Sequence, residues 1–158
     1  MIKHLLLDVD GVLNTGQFLY DSRGKAYKIF GPHDKDGLKL IKALGLTINF
    51  ISSDKNGFAI SKARIVKDWG FSEHNLTLVS EEDRLNWVTA HYNLDELAYI
   101  GDGYYDAPIL SCVKIGIAPN SARKEAKAAA KYITESNAGE GAVLDACLII
   151  KSIMENNK

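Results

Sequence analysis

What this chain lacks narrows its function before any motif is read. It has two cysteines in 158 residues, Cys112 and Cys147, each among apolar neighbours. Two such thiols are expected to be buried as small hydrophobes, not paired in a disulfide or a metal site. A dominant charge is missing too. The formal net charge is -1, so neither nucleic acid nor an anionic membrane surface is an expected partner. No run approaches the roughly 20 apolar residues that cross a bilayer. Met1-Ile2-Lys3-His4 leads directly into a strand-like run, so no secretory leader is expected and the cytoplasm is the expected location. Repeats, low-complexity tracts and long linkers are also missing. What remains is an ordinary globular composition, 46% hydrophobic and 25% charged. The length suits one domain, residues 1–158, with a sizeable core.

Strand-like and helix-like segments alternate along the chain. Leu5 to Leu7 begin a buried strand that runs into Asp8. Gln17–Tyr20 and Ala26–Phe30 flank Asp21-Ser22-Arg23-Gly24, which reads as a β-hairpin with a four-residue turn. Helical spacing is predicted over Asp34–Leu44, Phe58–Trp69, Glu81–Tyr92, Ala107–Cys112, Ser121–Ala130 (with Ser121 as N-cap) and Ala142–Met154. Strands are predicted over Leu46–Ile51, Leu76–Val79, Leu97–Ile100, Lys114–Ile117 and Tyr132–Thr134. Such alternation predicts an α/β, doubly wound domain, its central parallel sheet covered by helices on both faces. The hairpin, about residues 15–30, is too small to be a second domain and reads as a flap.

The chemistry sits where strands end. Asp8 and Asp10 are two residues apart at the end of an apolar run. In extended chain they would share a face at the strand's carboxyl end, where open α/β sheets bind ligands. The second predicted strand ends in Ser52-Ser53-Asp54. The fourth ends in Gly101-Asp102-Gly103, with Asp106 beyond. Several carboxylates at one rim repel each other unless a cation neutralises them. An all-oxygen ligand set without histidine or cysteine favours Mg²⁺ over zinc. A nucleophile, a hard metal and donors for oxygens are what phosphoryl transfer needs.

Asp8-Val9-Asp10-Gly11-Val12-Leu13 resembles the first motif of the haloacid dehalogenase (HAD) superfamily, and Gly101-Asp102-Gly103-Tyr104-Tyr105-Asp106 resembles its fourth. The hairpin in place of a cap domain, Phe30-Gly31-Pro32-His33-Asp34 and Gly139-Glu140-Gly141-Ala142-Val143 resemble the capless branch. That branch dephosphorylates 3-deoxy-manno-octulosonate 8-phosphate or N-acylneuraminate 9-phosphate. The similarity runs from about Lys3 to Met154. It implies a Mg²⁺-dependent phosphate monoester hydrolase acting on a phosphorylated eight- or nine-carbon sugar acid through an aspartyl-phosphate. Asp8 would be the nucleophile and Asp10 the general acid and base. Mg²⁺ would be held by Asp8, the Asp10 carbonyl and Asp102, with Asp106 supporting its waters or orienting nearby groups. Ser52 would hydrogen-bond the phosphoryl group, with Ser53, Asp54 and His33 as further substrate-facing candidates. The resemblance also implies a homotetramer in which a neighbour's hairpin or carboxyl-terminal tail closes the open site. Phe18, Leu19, Tyr20 and Tyr27 suit burial at such an interface.

The departures leave alternatives open. Ser52-Ser53-Asp54 stands where the family usually has threonine-glycine-arginine. The third-motif lysine is matched best by Arg84, with Lys55 a second candidate, and arginine's planar fork differs from a compact ammonium. Glu140 occupies a glycine loop that often carries arginine. The rival reading is a catalytically impaired sugar-phosphate binder or regulator. A signalling receiver domain fits less well, because its acceptor aspartate lies on the third strand and Asp10 would have no role there.

Overall fold

In the computed structural model, residues 1–156 are described. The run His4–Asp8 forms strand β1, and Leu5, Leu6 and Leu7 have no exposed surface at all. Full burial of each such side chain is worth about 2 kcal/mol. Thr47–Ser52 (β4) and Leu97–Ile100 (β6) pair with β1 on either side, parallel to it. Leu76–Leu78 (β5), Ile115–Ala118 (β7) and Tyr132–Ile133 (β8) complete a six-stranded sheet of order β5-β4-β1-β6-β7-β8. Its pairings are all parallel, which explains near-continuous apolar strands in place of alternating ones.

Successive β1 residues serve opposite layers. Leu5 and Leu7 pack in one core with Leu38 and Ile41 of helix α1 (Asp34–Ala43), Ile65, and Val143, Cys147 and Ile150 of helix α6 (Ala142–Asn156). Leu6 packs in the other with Val88 of α3 (Arg84–His91), Ile109 of α4 (Ala107–Cys112) and Ala126 of α5 (Lys124–Ala129). The sheet is therefore covered on both faces. Among the described residues, no helix is long and apolar enough to cross a membrane.

Asn14–Asp21 (β2) and Gly24–Phe30 (β3) form a separate two-stranded antiparallel sheet, the flap. Several boundaries differ from the sequence-based expectation. The turn holds two residues, not four, because Asp21 pairs with Gly24 and its carboxylate caps the Arg23 N–H at 2.8 Å. The helix expected over Phe58–Trp69 is α-helical only for Phe58–Lys62 (α2). Ala63–Asp68 is wound more loosely, with the Trp69 N–H bonded to the Arg64 carbonyl five residues back. Ser121 is not a cap: its hydroxyl accepts from the Ala138 N–H, and α5 starts at Lys124. Helix α3 starts at Arg84, since the preceding acids are spent in a turn closed by Ser80 and Asp83. Cys147 is buried as expected, but Cys112 is exposed at the end of α4.

One core residue carries a charge-bearing group without a partner. Asp34, in the first turn of α1, is 1% exposed, and neither carboxylate oxygen accepts a hydrogen bond from any described residue. Burial pushes it up from 3.8 to about 7, with Arg64 pulling weakly the other way. The folded state thus holds a proton that the unfolded chain releases above about pH 4. Stability from this site is complete below that pH and is lost as pH rises toward 7. Asp34→Asn should be indistinguishable from the native chain near pH 4 and more stable by about 2–4 kcal/mol at pH 8. Urea unfolding at the two pH values checks this, and an Asn variant equal or weaker at pH 8 would refute it.

Candidate active site

The polar rim lies at the carboxyl edge of the sheet, beside the point where strand order reverses around β1. Strand β1 ends at Asp8, β4 at Ser52, and β6 runs into Gly101 and Asp102. A cavity of about 280 Å³ opens there, lined by Asp8, Asp10, Ser53, Glu81, Arg84, Asp102, Asp106, Arg123 and the tyrosine pair Tyr104 and Tyr105.

Asp8, Asp102 and Asp106 each bring a carboxylate oxygen to within 4.8 Å of the other two. A single buried guanidinium holds this group together. Arg84, 3% exposed, places Nη1 3.1 Å from Asp8 Oδ1 and 2.8 Å from Asp106 Oδ1. Burial works against its charge, but Asp8, Tyr99 and Asp106 more than compensate and hold it protonated. Asp106 is fully engaged. Its Oδ1 accepts from Arg84 and the Tyr99 hydroxyl, and its Oδ2 from the N–H groups of Asp102 and Gly103. Four donors match the roughly four acceptor sites of a carboxylate. Asp106 therefore acts as the scaffold for Arg84 and the Asp102 loop.

Asp8 Oδ1 also accepts from the Val9 N–H at 2.9 Å, so the backbone and Arg84 hold the same oxygen. Burial pushes the Asp8 carboxyl well up, opposed by Arg84 and reinforced by Asp106 and Asp102. Burial and Asp106 raise Asp102 to about 6. Burial is the first cause of both shifts, and the neighbouring acids add to it. Hard oxygen donors in such a cluster fit a divalent cation of the Mg²⁺ kind. Gly11 makes the cluster sterically feasible. Its φ is +81°, and a β-carbon there would sit 2.0 Å from Asp102 Oδ2.

Asp10 is positioned differently from the expectation. The strand ends at Asp8, and residues 9–13 turn, with the Leu13 N–H on the Val9 carbonyl. Asp10 therefore meets Asp8 through this turn and not through strand alternation. Its Oδ1 accepts from Asn14 Nδ2 at 2.9 Å and lies 2.8 Å from Lys28 Nζ. Asn14 is fully buried, and its own Oδ1 accepts from the N–H groups of Gly11 and Gly16. Asp54 faces the flap: its Oδ2 lies 2.7 Å from Lys25 Nζ and 2.9 Å from Lys28 Nζ.

The structure thus brings Asp8, Asp10, Ser53, Arg84, Asp102 and Asp106 around one cavity, whereas Ser52, Asp54 and His33 are outside its lining. Ser52 is buried, its hydroxyl accepting from the Asp54 N–H and 3.5 Å from Asp10 Oδ2. His33 precedes α1 without capping it. Glu140 accepts from Asn137 in its own loop. Lys55 is exposed, and Arg84 is the cation beside Asp8. Sequence reasoning missed Lys28, Asn14, Tyr99, Glu81 and Arg123. A signal for Lys28 was present: Ala26, Lys28 and Phe30 alternate with the exposed Tyr27 and Ile29, so a lysine occupies the inward face of β3.

Comparison with known proteins agrees with this geometry. The family of haloacid dehalogenase-like hydrolases matches residues 38–146. A 3-deoxy-D-manno-octulosonate 8-phosphate phosphatase of Haemophilus influenzae is 30% identical over 149 residues, covering 89% of this chain and 78% of its own. The Moraxella catarrhalis enzyme of that name, solved with magnesium, phosphate and the sugar acid KDO, superposes with TM-score 0.79 at 27% identity, covering 99% of this chain and 94% of its own. The cobalt-bound Haemophilus influenzae enzyme gives TM-score 0.80 at 26% identity, covering 98% and 90%. A parallel sheet with its acids at the carboxyl edge, a hairpin flap and these relationships lead to one assignment: the chain belongs to the haloacid dehalogenase-like hydrolases and is a phosphatase of that superfamily.

Proposed function

We propose that the protein hydrolyses the phosphate ester of an eight- or nine-carbon sugar acid, such as 3-deoxy-D-manno-octulosonate 8-phosphate, through an aspartyl-phosphate on Asp8. The observation that carries this reading is the clamp on Asp8. Arg84 and the Val9 N–H both hold Oδ1 of Asp8, which lines the cavity. A carboxylate held in one orientation is a competent in-line nucleophile. Its attack on phosphorus forms the Asp8–phosphorus bond as the ester bond breaks, and Asp10 gives the leaving oxygen a proton. Asp10 then takes a proton from the water that attacks phosphorus, releasing phosphate and restoring Asp8. Arg84 balances charge on the transferring group. Ser53, a lining residue whose hydroxyl lies 3.4 Å from Glu81 Oε1, would donate to it, while Ser52 holds the loop from within.

Asp8, Asp102 and the Asp10 carbonyl would hold Mg²⁺, which when bound neutralises the clustered acids and polarises the phosphoryl oxygens. Asp106, its oxygens already engaged, orients Arg84 and the Asp102 loop. The flap's outward residues Leu19, Tyr20, Tyr27 and Ile29 are 42–68% exposed. Such a patch supports assembly into a homotetramer that closes the site.

Phosphate release with Mg²⁺ should be measured on a panel of 3-deoxy-D-manno-octulosonate 8-phosphate, N-acylneuraminate 9-phosphate, p-nitrophenyl phosphate and hexose phosphates. Asp8→Asn should lower turnover by roughly 10³-fold or more, and chelator should abolish it. A folded native chain inactive on the whole panel would shift the assignment to the binding or regulatory reading.

Mg²⁺ at about a hundred times its Kd should raise the thermal midpoint by roughly 5 °C or more. Asp102 must lose its proton to take a cation, so the shift should shrink as pH falls below about 6. Asp102→Asn should abolish it, and a shift unchanged in that variant would refute the site.

Sedimentation at micromolar concentration should give four times the mass of one 17.4 kDa chain. A single-chain mass would refute the tetramer.

A further inference from the structure

Lys28 makes an unusual commitment for a flap residue. Its ammonium has no exposed surface, although it is carried by a hairpin that shares no ladder with the central sheet. Three oxygens surround it: Asp10 Oδ1 at 2.8 Å, Asp54 Oδ2 at 2.9 Å and Ser61 Oγ at 2.8 Å. They come from the turn after β1, the loop after β4 and helix α2. The space is shaped for it, because a β-carbon on Gly57 would sit 2.6 Å from Lys28 Cε and 2.2 Å from Asp54 Oδ2. Together Lys28 and Asn14 occupy the same oxygen of Asp10. Among the described residues, the other oxygen, Oδ2, has only the long 3.5 Å contact with Ser52 Oγ.

We propose that Lys28 is a positioning residue of the reaction: it pins Asp10 Oδ1, so that Oδ2 carries the proton to the leaving oxygen, and it makes this alignment depend on the seated flap. The proposal rests on the phosphatase reading above. The step it serves is the first one. The Asp10 Oδ2–H bond breaks as the ester oxygen takes the proton, the phosphorus–ester oxygen bond breaks, and the Asp8–phosphorus bond forms. A lysine that merely neutralised two half-buried acids would affect folding but would not favour one leaving group over another.

Leaving groups therefore provide the test. p-Nitrophenolate departs as a stable anion and needs little protonation, whereas a sugar alkoxide depends on the general acid. kcat/KM covers only the steps through departure of the leaving group, so it isolates this half-reaction. With Mg²⁺ present, Lys28→Met should lose about 10- to 100-fold in kcat/KM on 3-deoxy-D-manno-octulosonate 8-phosphate and less than about threefold on p-nitrophenyl phosphate. Asp10→Asn should show the same pattern, more strongly. The ratio of the two constants from one preparation does not depend on the active fraction, so partial misfolding of Lys28→Met cannot imitate the result. Lys28→Arg keeps the cation and should restore the ratio toward the native value. Equal losses on both esters, or no loss on the sugar ester, would overturn the role of Lys28 while leaving the phosphatase reading intact. A native chain inactive on both would overturn the two together.

Discussion

The site depends on one buried cation among acids. Removing Asp8 and Asp106 from water costs several kcal/mol per charge, and Arg84 between them offsets this only through short, well-aligned contacts. Asp106 makes the pairing durable, since Tyr99 and two backbone N–H groups engage the lone pairs that Arg84 leaves. The strand end, the helix start at Arg84 and the Gly101–Asp106 loop are thus fixed against each other by one guanidinium. An arginine at this position suits the arrangement. Its planar head places one nitrogen against two carboxylates at the edge of the cavity.

The flap extends the same logic outward. Two lysines of β3 meet Asp54, and one of them continues to Asp10. Alternation along β3 places Lys28 inward and Tyr27 and Ile29 outward. One strand therefore presents charge to Asp10 and apolar surface to the surroundings. Its pleat connects the polar rim to the exposed outer face of the hairpin.

Much of this was legible in the sequence, and the rest was hidden for physical reasons. The sheet was readable because parallel strands are buried on both faces, so Leu5–Leu7, Phe50–Ile51 and Tyr99–Ile100 stand out as apolar runs. Asp8, Asp10 and Asp102 were readable because acids abruptly follow such runs. The alternation of β3 could place Lys28 inward but not name its partners, which come from across the fold: 33 residues separate it from Ser61. Asn14 was missed although its bonds to Asp10, Gly11 and Gly16 span two to four residues. The looser turn over Ala63–Asp68 leaves the apolar spacing almost unchanged, so periodicity reads it as ordinary helix. Ser121 has the composition of a cap, yet a tertiary contact with Ala138 claims its hydroxyl.

The hairpin has its own two-stranded ladder, and none of its strands enters the six-stranded sheet. Lifting it would break side-chain pairs but not one rung of the central ladder. Flap opening and global unfolding are therefore two separate free energies in this molecule. Substitutions on β2 and β3 can shift the hairpin's own equilibrium without eroding the reservoir of stability held by the leucine-lined core.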